Sequence, residues 1–299
     1  MVVTQPPARR GAALLLTASD GRTARRKTVN AAMTGLVGGA ALIGVGVLAV
    51  ILGYIVRRGA PALNWAFFTQ QPAPLGETGG GVAPAILGSL TMVGVGAAIG
   101  VPVGTGAGIY LAEFGRGRFA ATVRFIADLL TGLPSIAVGA FVSAILVRRV
   151  IHSYNAIAGG VALAIIMIPI ITRTVEEILR LVPANLREAS LALGTPVWRT
   201  IMRIVLPAAR GGIITGVVLA LARAAGETAP LLLTALGNQF FSLRLGEPMA
   251  ALPLQIYTYA KAPYEDAHVK AWGSSLVLII VIGAFSLLTR LATRQRRFR

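Results

Sequence analysis

The chain alternates long apolar runs with short basic stretches. A helix rising 1.5 Å per residue needs roughly 20 mainly apolar residues to cross a hydrocarbon core of about 30 Å. Six runs meet or approach that length: Ala31 to Val56, Ile86 to Leu111, Val123 to Val147, Ile157 to Ile171, Gly211 to Leu236 and Trp272 to Leu291. The fourth is short and holds Pro169, so Tyr154 to Ala156 are candidates to extend it. The pattern predicts an all-α polytopic membrane protein with six transmembrane helices.

The segments between the runs differ in kind. Ala60 to Ala83 carries Pro61, Pro72, Pro74 and three consecutive glycines, Gly79 to Gly81, a composition that breaks regular structure. It reads as a hinge between an accessory first helix and a five-helix core. Gly237 to Ala271 contains LPLQIYTYA, whose Tyr257 and Tyr259 suit a membrane interface; a short re-entrant or surface helix and an ordinary loop both fit. Thr172 to Arg210 alternates charge with apolar residues at helical spacing: Val175, Ile178, Leu179, Val182, then Leu186, Ala189, Leu193, then Trp198, Ile201, Ile204. Pro183, Pro196 and Pro207 divide it into short helices, an amphipathic elbow suited to docking another protein. The expected organisation is a disordered basic arm over 1–30, the first helix over 31–56, an external loop over 57–85, the main transmembrane domain over 86–291 and a basic tail over 292–299.

Composition agrees with this pattern. The 299 residues are 55% hydrophobic and 13% charged, with a mean hydropathy of +0.74. The 35 glycines suit helices that approach closely in lipid. A formal charge of +17 invites a nucleic-acid reading, but the basic residues are separated by apolar spans with no recurring aromatic and basic platform, so no nucleic-acid partner is expected. Membrane topology accounts for the charge better. With the N-terminus inside, 20 Lys and Arg fall on the inner side and 7 on the outer, with Arg223 inside a span. The excess places both termini in the cytoplasm. The basic arm leads into an apolar run with no clear small-residue cleavage site, so no cleaved signal peptide is expected. Absence of cysteine removes disulfides and thiolate chemistry, and His152 and His268 stand alone, so no metal site is expected.

Inside the fifth run, LARAAGETAPLLLTAL carries Arg223 and Glu227 four residues apart. On one continuous helix they would share a face. A charge at a span's centre costs roughly 2.5 to 3.5 kcal/mol on insertion scales, while each leucine returns about 0.3 to 0.6. Such charges face the protein interior or a watered path. An ion pair that only stabilises the bundle is the plainer reading. The small neighbours Ala224, Ala225, Gly226, Thr228 and Ala229 favour a path wide enough for a hydrated anion. Guanidinium offers paired donors to an oxyanion at any relevant pH, and Glu227 would orient and neutralise it when no anion is present. Thr131-Gly132-Leu133-Pro134-Ser135 is a second candidate, because proline beside glycine frees backbone groups that could line the path. A plain packing kink fits it equally well.

In the elbow stands EASLALGTPVWRTIMRIVLP, Glu188 to Pro207. This resembles the EAA loop of ABC-importer permeases: Glu188, Ala189, Gly194, Ile204, Leu206 and Pro207 match at the right spacing, and Ser190 replaces an alanine with another small residue. A short helix with Ala189 and Ser190 beside Glu188 can enter a partner's groove, and Gly194 permits a sharp reversal after it. GGGVAPAILGSL (Gly79 to Leu90), TGLPSIAVGAF (Thr131 to Phe141) and RAAGETAPLLL (Arg223 to Leu233) are similar to permeases of the phosphate-specific importer, closest to its PstA type. That resemblance implies a type I ABC importer permease fold with a cytoplasmic coupling helix, in a multi-pass protein of a prokaryotic inner membrane. It supports the placing of charge in the fifth run, and the substrate path expected from the residues is Arg223, Glu227, Thr228, Pro134 and Ser135. It also implies a heterodimer with a PstC-type permease, an ATPase dimer below and an extracytoplasmic phosphate-binding protein above. No GxxxxGK[ST] sequence occurs, so the chain is expected to bind no cofactor itself and to be no enzyme, with ATP and Mg on the partner ATPase. The alternatives are a permease for another oxyanion such as sulfate or molybdate, and an ATPase-independent carrier or channel.

Overall fold

The computed structural model describes residues 20–74 and 76–293. Met1–Tyr54 and Ile55–Arg299 form two compact units. Helix α1, Asp20–Gly59, begins inside the arm expected to be disordered, because RTARRKTVNAAM has no helix breaker before the apolar run takes over. The rest of the arm and the end of the basic tail lie outside the described residues. Up to Tyr54 this helix leaves its apolar side chains exposed, Leu42 and Ile43 among them, as suits a span turned to lipid.

The second unit holds α2 (Trp65–Thr69), α3 (Ala83–Ile109), α4 (Gly117–Gly132), α5 (Ser135–Val142), α6 (Ala156–Arg180), α7 (Ala184–Ala192), α8 (Val197–Thr200), α9 (Leu206–Ala225), α10 (Ala229–Thr234), α11 (Leu252–Lys261) and α12 (Glu265–Thr293). Five helical stretches among the described residues are long and apolar enough to span a membrane. A sixth is the pair formed by Gly117–Gly132 and Ser135–Ile151, bent by 104°. Among the described residues the fold is therefore all-α, with six spans when that bent pair is counted as one.

Helix α6 is the hub. It runs nine residues past the expected end at Ile171, so Thr172–Arg180 belongs to a span and not to the elbow. The helical spacing of Val175 and Leu179 continues that of Leu163, Met167 and Ile171, and all five are buried. Opposite them α3 presents Gly96, Gly100, Gly104 and Gly108, one every four residues. A Cβ on Gly104 would stand 2.8 Å from Cβ of Ile171, and one on Gly108 would stand 2.6 Å from Cβ of Val175. The two backbones approach as closely as they do because those carbons are missing. At its start, α6 is capped by Asn155, whose Oδ1 accepts from Ala158 N at 2.8 Å.

The stretch read as a hinge is packed structure. Asn64 caps α2 by accepting from Phe67 N at 2.8 Å, and Phe67 is buried with Val82 against α11 and α12. The glycines there serve close approach: a Cβ on Gly81 would meet the carbonyl oxygens of Phe67 and Gln70 at 2.6 and 2.8 Å. LPLQIYTYA forms the short helix α11, with Tyr257 exposed and bonded to Lys261 while Tyr259 turns into the core.

Pro183 and Pro196 stand immediately before α7 and α8, as expected of prolines at helix starts. Pro207 divides nothing: the helix runs from Val197 to Ala225, and a π-helical turn at Ile201–Val205 lies just before the proline. Such a turn takes up a lost backbone hydrogen bond without ending the helix.

Candidate functional site

The fifth span is not one helix through Leu236. Helix α9 stops at Ala225, and α10 starts at Ala229. Pro230 explains the stop, since a continuous helix would drive its ring into the carbonyl of Gly226, four residues back. Arg223 thus occupies the last turn of α9 and Glu227 lies in the break. They do not share a helix face, and no ion pair within 4 Å joins them; the pairing expected from i, i+4 spacing is absent because the helix on which it depends is interrupted.

A second break lies beside the first. Helix α4 ends at Gly132, Leu133 and Pro134 are extended, and α5 begins at Ser135. A Cβ on Gly139 of α5 would meet Cα of Pro230 at 2.6 Å, so the two outgoing half-helices touch. Arg223 shares a small cleft with Leu130, Thr131, Leu133 and Ser135 of the other break, and with Ile166 and Ile170 of α6. Pro134 turns the chain and does not line the cleft. Ile166 is ten residues into α6, about 15 Å from its start, which is half the thickness of the hydrocarbon core. The arginine and both interruptions therefore lie level with the middle of this spanning helix. Arg223 is exposed in the single chain; Glu227 and Thr228 are half-buried.

Toward the α7 end, sequence reasoning missed an ion network. Glu176 is 1% exposed and accepts from three guanidinium groups: Arg124 Nε at 2.6 Å, Arg173 Nη1 at 2.9 Å and Arg180 Nη2 at 2.5 Å. Arg173 Nε also meets Asp128 Oδ1 at 2.9 Å. Arg124 donates further to the carbonyls of Leu111 and Gly115, which end the α3 span. Arg187 of α7 reaches Glu113 at 2.7 Å and the carbonyls of Leu179 and Val182 at the end of α6. The available signal was the i, i+3, i+7 spacing of Arg173, Glu176 and Arg180 on one helix face.

Helix α7 carries the matched motif. Glu188 and Ala189 are exposed, whereas Ser190 turns inward, its hydroxyl 2.8 Å from that of Thr200. Ser190 thus joins α7 to α8 and offers no face to a partner. Gly194 has φ +77°, and the amides of Gly194 and Thr195 donate to the carbonyls of Leu191 and Ser190, a paired closure that ends a helix with a left-handed residue. Leu186, Leu191, Leu193, Val197, Trp198 and Met202 stay exposed around this turn. Ile204 and Leu206 are half-buried and Pro207 is exposed, at the root of the helix that leads to Arg223.

On the opposite side, residues 242–247 form a braced loop. The Ser242 hydroxyl, and then Arg244, hold the Glu247 carboxyl below its ordinary 4.5. Carbonyls of Leu245 and Glu247 accept from Ile157 and Ala156, supplying partners to the first amides of α6.

Residues 104–295 match the family described as binding-protein-dependent transport system inner membrane component. The chain is 45% identical to the phosphate transport system permease protein PstA of Haemophilus influenzae, over 91% of this chain and 96% of that protein. It is 37% identical to PstA 1 of Mycobacterium tuberculosis, over 92% of each. An inward-facing structure of the MetNI methionine ABC transporter shares the fold at a TM-score of 0.60 and 22% identity, covering 71% of this chain and 94% of that one. With two broken spans meeting at an arginine level with the middle of a spanning helix and a turn-closed helix at the root of one of them, the chain belongs to the binding-protein-dependent ABC transport permeases, within them to the PstA family.

Proposed function

We propose that this chain is a permease subunit of an ATP-driven importer of inorganic phosphate, and that Arg223 is the cation phosphate meets at mid-membrane. The observation that carries the reading is the meeting of two interrupted spans at Arg223, with Thr131 and Ser135 lining the same cleft. A guanidinium there binds a tetrahedral oxyanion through paired donors, and Ser135 offers a hydroxyl donor beside it, whereas the Thr131 hydroxyl already donates to the Ala127 carbonyl. Glu227 and Thr228, on the break, can move without unwinding a helix. Glu227 is the carboxylate that neutralises Arg223 between transport events and yields to phosphate.

The excess of Lys and Arg supports a cytoplasmic α7 end, and the same bias along the sequence supports cytoplasmic termini. Helix α7 and its exposed apolar rim dock on an ATPase subunit, where ATP and Mg are bound. A PstC-type permease closes the path from the other side, and a phosphate-binding protein delivers substrate to the outer face in a prokaryotic inner membrane. Motion of the ATPase enters at Glu188 and Ala189, crosses the Ser190–Thr200 bond and travels along the continuous helix to Arg223.

The test is ATP-dependent phosphate uptake by the assembled transporter carrying Arg223→Gln, with membrane abundance and ATPase docking checked. Loss of uptake with intact assembly is expected; retained uptake overturns the role. Glu227→Gln is expected to change the ratio of phosphate to sulfate transport, and an unchanged ratio at normal rate removes Glu227 from the path.

A further inference from the structure

One helical turn beyond the Arg223 cleft lies a second cation with a different environment. Ile170 and Thr131 line the cleft. Arg173 is three residues after the first on α6 and Asp128 three before the second on α4, each about 4.5 Å further along its axis toward the α7 end. The Cα–Cβ bond of Arg223 tilts toward the start of α9, and so in the same direction.

Arg173 bridges two unlike carboxylates. Glu176 is 1% exposed and held by two further arginines, so it is fixed. Asp128 is 56% exposed and has Arg173 as its ion-pair partner. It stands on α4 between Phe125 and Leu129, apolar side chains that are themselves exposed. A carboxylate turned to acyl chains at such a place is costly. This face of α4 therefore borders protein or water, about one helical turn from Thr131 of the cleft.

We infer that Arg173 is a second anion station on the exit side, for the same tetrahedral oxyanion that Arg223 receives, and that Asp128 is its built-in competitor. Glu176 keeps the guanidinium in place. Phosphate arriving from Arg223 displaces Asp128 and takes over its bond to Nε. When phosphate leaves, Asp128 returns and clears the site. One guanidinium exchanges one oxyanion for another, so the station binds without trapping. The inference rests on the Arg223 reading and extends it inward.

The experiment uses the assembled transporter in proteoliposomes enclosing ATP and graded internal inorganic phosphate, with external phosphate uptake expressed per ATP hydrolysed. Internal phosphate occupies the exit station and slows uptake. Asp128→Asn removes the competing charge from a half-exposed position and leaves Glu176 to hold Arg173. Half-inhibition is then expected at about two- to fivefold lower internal phosphate, the range for deleting one such ion pair. Arg173→Gln is expected to shift half-inhibition to higher internal phosphate, and Arg173→Lys to return it part of the way. An Asp128→Asn value equal to that of the unaltered protein, or a shift upward, overturns the inference. Arg223→Gln run in parallel separates the two ideas: if it abolishes uptake while Asp128→Asn shifts nothing, Arg223 keeps its role and Arg173 does not gain one. If Arg223→Gln transports normally, the first reading fails by itself.

Discussion

Replacing Glu176 by alanine is expected to be the most destabilising single change at the ion network. The carboxylate is 1% exposed and accepts from Arg124, Arg173 and Arg180, whose side chains are 25%, 33% and 55% exposed. Removing one partner of a buried pair costs about 3 to 5 kcal/mol, because the remaining charge loses its compensation in a poorly hydrated place. Three pairs do not triple the figure. Arg180 regains water, Arg173 keeps Asp128, and Arg124 keeps two backbone carbonyls. The cost therefore falls near the lower end, about 3 kcal/mol. Arg180→Ala removes only the most exposed pair and is expected to cost under about 1 kcal/mol. Reversible denaturant unfolding of the purified protein in bicelles or mixed micelles measures both variants on one scale. Equal losses would refute the reasoning, since they would mean that burial of the carboxylate does not decide its worth.

Gly108→Ala sets a Cβ 2.6 Å from that of Val175 and 2.7 Å from the Thr172 carbonyl oxygen at a helix crossing with no slack, and is expected to cost about 1 to 3 kcal/mol in the same assay. Thr200→Val cuts the buried hydroxyl bond that joins α7 to α8, and is expected to lower phosphate uptake per ATP hydrolysed while docking of the ATPase persists. The Glu247 brace depends on pH. Its carboxyl is held below 4.5, so its contribution is complete above that value and is lost as pH falls through the depressed one. Hydrogen exchange at the amides of Ala156 and Ile157, read at matched intrinsic rates, is expected to accelerate as pH falls below 4.5, and to be fast already at neutral pH in Glu247→Gln; pH-independent protection would remove the link.

Where the sequence succeeded and failed has physical reasons. Hydropathy located six spans because lipid imposes one length on every helix that crosses it. Gly194 was readable as a reversal because few residues other than glycine accept its φ of +77°. Gly132 and Pro134, with one residue between them, make a break or a packing kink readable there, and the structure has the break. The break at Glu227 was not read, although Pro230 four residues after Gly226 was the signal: leucines and alanines on both sides gave an uninterrupted apolar run, which conceals a change of direction. The charges of Thr172–Arg180 speak against a span, yet Glu176 is carried by Arg173 and Arg180 of its own helix and by Arg124 of α4, which a linear reading does not bring near. Pro207 shows the converse, a breaker tolerated next to a π-helical turn.

The ion network also bears on how the chain is made. Arg124 precedes Glu176 by 52 residues, and Glu113 precedes Arg187 by 74. At about 5 to 20 residues per second, each early charge waits roughly 3 to 15 s in or beside the bilayer for a counter-charge not yet synthesised. During that interval the glycine ridge of α3 likewise lacks the helix against which it fits. The charges and the glycine ridge of the early spans thus find their partners only as α6, and then α7, emerge from the ribosome.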